Sequence, residues 1–89
     1  MTNSDFIKAH SLFVKGNYDG AIALCLKILD LNDNSVQVYK LISKCYVSTK
    51  NIQLASAYLK RALIISPNDQ EILKDIGNLF LIQGNLDKA

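Results

Sequence analysis

Residues 16–21 read GNYDGA, residues 50–55 read KNIQLA, and residues 84–89 read GNLDKA. The three phrases close on Ala21, Ala55 and Ala89, so the interval from the first to the second equals that from the second to the third. A fixed period of this length is the mark of a chain built from stacked copies of one supersecondary unit, and it decides the fold class before any single segment is read. Each phrase is a helix-to-helix turn. Gly16 and Gly84 can supply the left-handed residue that closes one helix, and Asn17, Asn51 and Asn85 can cap the next. Lys50 replaces the glycine in the middle copy, and a lysine held in that conformation strains the turn by about 1–2 kcal/mol.

Between the turns apolar residues recur at helical spacing: Tyr39, Ile42 and Tyr46; Ala55, Tyr58, Leu59, Ala62 and Leu63; Leu73, Ile76 and Phe80. At SPND, residues 66–69, Pro67 cannot continue the preceding helix, and Asn68 or Asp69 can cap the following one. The pattern predicts helices over 4–15, 18–31, 35–49, 52–65 and 69–83, a stub from 86, and no strand.

This helix-turn-helix period resembles that of the tetratricopeptide repeat (TPR) family, whose units are about 34 residues long. The unit 36–69 carries the resemblance best, with Tyr39, Ile42-Ser43 and Tyr46 on its first helix, Ala55, Leu59 and Ala62 on its second, and Pro67 at its close. The unit beginning at Gln70 follows with Leu73, Ile76-Gly77, Phe80, Gly84 and Ala89. The unit 2–35 departs from the pattern. It keeps Ala9, Leu12, Ala21 and Ile28, places Asp5 and Lys8 where large apolar residues belong, and has Asp33 in place of the proline; a terminal repeat can carry polar residues on its outer side.

The resemblance implies an all-α fold, a right-handed α-solenoid of antiparallel helix pairs, with units 2–35, 36–69 and an incomplete 70–89. A unit cut after its first helix leaves DQEILKDIGNLFLIQ, residues 69–83, apolar over much of its circumference. Such a helix expects burial, so the chain is expected to be a segment of a longer array, or to pair with a second copy through residues 69–89.

In this family the first helices of the units line a concave groove that holds a peptide or a partner helix. Carried over position by position, that groove takes Phe6, His10 and Phe13 from the first helix. It takes Gln37, Lys40, Lys44 and Val47 from the third, and Glu71, Lys74, Asn78 and Leu81 from the fifth. Lys40 and Lys44 are one turn apart, and Lys74 stands one period after Lys40. Three ammonium groups in one concavity would attract a carboxylate or an acidic cluster, with Phe6 and Phe13 as an apolar shelf beside them; ordinary solvated lysines are the plainer reading. Chaperone-binding members of the family hold a terminal carboxylate with Lys, Asn and Arg from two repeats, and here Lys74 and Asn78 alone match.

Composition narrows the functional classes. At 89 residues the chain sits slightly above the range, below about 70–80, where one core supplies too little stability. Its hydrophobic share of 49% argues for a packed aliphatic core over disorder. A net charge of +2 is too small for a nucleic-acid binder. The N-terminal MTNSDFIKAH has no long apolar run, so neither a secretory signal nor a membrane span is expected, and the default compartment is the cytoplasm. Cys25 and Cys45 sit in apolar runs without metal-ligand spacing and read as buried, reduced thiols.

Nothing reads as catalytic. His10 is the sole histidine, with no nucleophile and orienting group to accompany it. Asp5 and His10 are spaced too loosely for a metal pair, NDN at 32–34 lacks the remaining oxygen ligands of a calcium loop, and the glycines form no phosphate cradle. The expected function is a non-enzymatic protein-protein interaction scaffold without cofactor or metal. The alternative is a self-association or docking module attached to a larger, catalytic protein.

Overall fold

The computed structural model describes residues 2–31 and 34–88, with side chains over 4–31 and 34–84. Five helices follow one another: α1 (Thr2–Val14), α2 (Tyr18–Leu31), α3 (Val36–Ser48), α4 (Ile52–Ile65) and α5 (Gln70–Lys88). Each packs on the next, and α1 also reaches α3, so helix pairs stack in chain order. No strand forms among the described residues. Asp33 and Ala89 lie outside them, as does most of NDN at 32–34.

The repeated phrases act as the periodicity predicts at two of three places. After α1 the Gly16 N–H donates to the Phe13 carbonyl at 3.0 Å and the Asn17 N–H to the Leu12 carbonyl at 2.9 Å. One period later, after α3, the Lys50 N–H donates to the Val47 carbonyl at 3.0 Å and the Asn51 N–H to the Tyr46 carbonyl at 2.8 Å. Both are Schellman closures, which satisfy carbonyls at the helix end at the expense of one left-handed residue. Gly16 takes that role at φ 86° and Lys50 at φ 67°. The asparagines differ: Asn17 Oδ1 accepts the Gly20 N–H at 3.0 Å, whereas Asn51 makes no side-chain cap and donates to Thr49 Oγ1 at 3.2 Å.

At the third copy the expectation fails. Helix α5 runs without a break from Gln70 to Lys88, through the expected turn at Gly84-Asn85, and Gly84 has no positive φ. Continuing α5 through Gly84-Asn85 adds one backbone hydrogen bond per residue, which a turn at that point would forgo.

The core forms in two connected parts. Ala9, Cys25, Ile28, Val38, Leu41 and Ile42 join α1, α2 and α3, and Tyr39, Ala55, Leu59, Ala62, Ile72 and Leu79 join α3, α4 and α5. Leu29, Tyr46 and Tyr58 pack against both. Alanines 9, 21, 55 and 62 are fully buried, and their small side chains let neighbouring helices approach closely. Tyr46 and Tyr58 stack with ring centroids 5.6 Å apart, Tyr39 meets Tyr58 at 6.1 Å, and the Arg61 guanidinium lies 5.9 Å over the Tyr58 ring.

Helix α3 is the centre of the stack, buried without interruption from Val38 to Ser43. Ser43 occupies the Gly position of the repeat pattern, and it satisfies its buried hydroxyl by donating to the Lys40 carbonyl at 2.8 Å. On α5 the buried face is Ile72 and Leu79 with Ile76 and Ile82 beside them, whereas Leu73, Phe80 and Leu81 are 43%, 65% and 69% exposed. The Leu73/Ile76/Phe80 stripe expected from the sequence is therefore mostly outward. Helix α5 packs chiefly on α4, and that contact selects the adjacent row of side chains.

Candidate functional site

Two cavities open along α1, α3 and α5. The smaller, about 240 Å³, is lined by Phe6, His10, Phe13, Gln37, Lys40, Leu41, Lys44 and Glu71. The larger, about 330 Å³, is lined by residues that include Phe13, Lys44, Val47, Leu59, Asp75, Asn78, Leu79 and Ile82. Phe13 and Lys44 belong to both, so the two adjoin along one side of the stack and together make up the groove.

The first helix supplies its aromatic wall. Phe6, His10 and Phe13 recur at i, i+4 and i+7, which puts them on one face, with Phe6–His10 and His10–Phe13 centroids each 6.4 Å apart. Tyr18, at the start of α2, extends the row to Phe13 at 5.7 Å.

The polar end is built where α5 begins. Asp69 Oδ1 accepts the N–H of Glu71 at 2.9 Å and of Ile72 at 3.3 Å, capping the helix, while Asp69 Oδ2 meets Lys40 Nζ at 2.6 Å. Glu71 Oε1 takes the same ammonium at 2.9 Å, and its Oε2 lies 3.7 Å from Lys44 Nζ. The Asp69 hydrogen bond, helped by Glu71, raises the Lys40 pKa above its ordinary value despite the desolvation that opposes it. In return Lys40 holds the carboxyls of Asp69 and Glu71 below their usual values.

Of the eleven residues assigned to the groove from sequence, nine line it: Phe6, His10, Phe13, Gln37, Lys40, Lys44, Val47, Glu71 and Asn78. Lys74 and Leu81 are exposed and line neither cavity. The expected trio of open ammonium groups does not form. Lys40 is only 8% exposed and already holds two carboxylates, because α3 is covered on this side by the start of α5.

Asp75 is a groove residue absent from the set expected from sequence. It lies four residues after Glu71 and three before Asn78, so helical spacing alone would have placed it on their face. Its Oδ2 is buried with no hydrogen-bond partner in the protein. Burial raises its carboxyl pKa above the ordinary value, against the lowering pull of Lys44.

No helix among the described residues is long and apolar enough to cross a membrane. A family model described as tetratricopeptide repeat matches residues 12–73. The BBSome complex member BBS4 of Bos taurus is 31% identical over 81 residues, which are 91% of this chain and 15% of that protein. The chain thus spans about a seventh of the length of this curated relative. A solved structure described as the first TPR of Spaghetti (RPAP3) bound to HSP90 peptide SRMEEVD superposes with a TM-score of 0.86 at 16% identity, over 90% of this chain and 64% of the other. With the constant interval, the stacked helix pairs and the family match agreeing, this chain belongs to the tetratricopeptide repeat family.

Proposed function

We propose that this chain is a non-enzymatic interaction module that holds an extended or helical segment of a partner protein in the groove between α1, α3 and α5. The observation that carries the reading is the adjacency of the two cavities: Phe13 and Lys44 line both the one with an aromatic wall and the one with aliphatic walls. Apolar walls with a few placed polar groups suit a side-chain-bearing segment. The RPAP3 neighbour, bound to a peptide, supports the same use of the fold.

The test places a photo-crosslinking residue at position 44, and separately at exposed Lys60 on α4, in cells that make the full-length protein. Partner crosslinks from position 44 that Val47→Glu abolishes and Lys60→Glu leaves intact support the groove. Equal crosslinking from both positions, insensitive to Val47→Glu, removes it.

A second reading rests on the exposed Leu73, Phe80 and Leu81 of α5, which suit docking of another helix or a second copy. Sedimentation equilibrium of the chain and its Phe80→Lys variant decides it: a dimer that the substitution dissociates supports self-association, and a monomer in both excludes it.

A further inference from the structure

The larger cavity has a chemical preference that the groove reading alone does not give. Its floor is aliphatic, with Val47, Leu59, Leu79 and Ile82, and one edge carries Asp75. A buried carboxylate oxygen without a donor is costly, so a ligand that brings a donor to Asp75, a residue of the cavity lining, would offset that cost. Lys44, also on this cavity, is turned toward Glu71 at 3.7 Å, and Lys40 is held by Asp69 and Glu71. Of the four charged residues that line the groove, Lys40, Lys44 and Glu71 are engaged with one another or with Asp69, and Asp75 makes no ion pair among the described residues and keeps an oxygen without a donor.

Resting on the groove reading above, we infer that the larger cavity recognises a partner segment carrying a lysine or arginine next to an aliphatic side chain, the basic group pairing with Asp75 and the aliphatic one filling the floor. Charge complementarity selects this occupant over an acidic peptide, which would bring a further carboxylate beside Asp75 and meet a Lys40 and a Lys44 that already hold carboxylates. An arginine matches best, since its planar fork can reach both oxygens of one carboxylate.

The experiment titrates the protein with pools of acetylated, amidated peptides about eight residues long, which span roughly 27 Å when extended. Each pool fixes Arg or Glu beside a Leu at one position and is read by fluorescence anisotropy. The expected result is preferential binding of Arg-Leu pools, with the preference over Glu-Leu pools cut about tenfold by Asp75→Asn and residual binding retained. Thermal melts check folding of that variant, and Lys44→Gln serves as a second variant expected to strengthen the Arg-Leu pools. Preference for the Glu pools, or an Arg preference that survives Asp75→Asn, overturns this inference and leaves the groove standing if Val47→Glu still blocks binding. Binding by no pool, or binding that Val47→Glu does not touch, overturns the inference and the groove reading together.

Discussion

Lys40 and Asp69 meet at 2.6 Å across the junction between α3 and the start of α5, and the same aspartate caps α5 through its other oxygen. One carboxylate thus ends one repeat, begins the next and ties both to the central helix. The pair contributes stability over a definite pH window. Asp69 and Glu71 titrate below their ordinary 3.8 and 4.5 when folded, so their contribution is full above those values and is lost as pH falls through the lowered ones. Lys40 titrates above its ordinary 10.5, so its contribution is full below that value and is lost as pH rises through the raised one. Lys40→Met is expected to lower the thermal midpoint by a few degrees at neutral pH, with the gap narrowing in acid. Melting curves across the pH range check this, and a gap of constant size in acid would show that the pairing is not its source.

Lys50 adopts φ 67° in a turn whose counterpart uses Gly16 at φ 86°. Lys50→Gly relieves the left-handed strain and should stabilise the protein by about 1 kcal/mol, after the added flexibility of the unfolded chain is subtracted. Gly16→Ala makes the opposite change. A Cβ there meets nothing within 4 Å, so its expected cost of about 1–2 kcal/mol is backbone strain alone. Urea denaturation of both variants measures the pair, and a neutral Gly16→Ala would contradict the turn geometry.

Gly20 lies in the first turn of α2, where a Cβ would come within 2.9 Å of the Asn17 amide that caps the helix. Gly20→Ala gains about 1 kcal/mol of helix propensity and displaces a cap worth about the same, so the single variant should be near neutral. In an Asn17→Ala background the propensity gain should appear unopposed. A double-mutant cycle by chemical denaturation is expected to show coupling of about 1 kcal/mol, and additive effects would refute the clash.

Cys25 and Cys45 are fully buried, and desolvation pushes their thiols up to about 12 and about 11, with Cys45 adding to the rise at Cys25. Both should be inert to a thiol-disulfide reagent in the native protein at neutral pH and reactive once urea unfolds it. Reaction kinetics followed by absorbance check this. Labelling that outpaces unfolding would place a thiol at the surface.

The constant period, the succession of helices and the left-handed turn at Lys50 are legible in the chain because each depends on local chemistry: turn residues, caps and the spacing of apolar side chains. Gly84-Asn85 shows the limit of that reading. The phrase matches its two earlier copies, yet α5 continues through it, because glycine and asparagine permit a helix to close without compelling it.

The site divides along the same line. Nine of the residues carried over from the family's groove positions line the two cavities, because equivalent positions on stacked helices share a face. The charge of the groove was not legible, since Lys40 is taken from it by Asp69, at the junction with α5, and by Glu71 of the next repeat.

Local pattern in the chain is enough to establish that helices pair at a constant interval and which side chains of each share a face, because both follow from backbone hydrogen bonding and side-chain periodicity. Which charges are engaged, that Asp75 keeps a buried oxygen without a donor, and which row of α5 is buried were settled only by the packing of the helices, because those depend on distances between elements that no local pattern encodes.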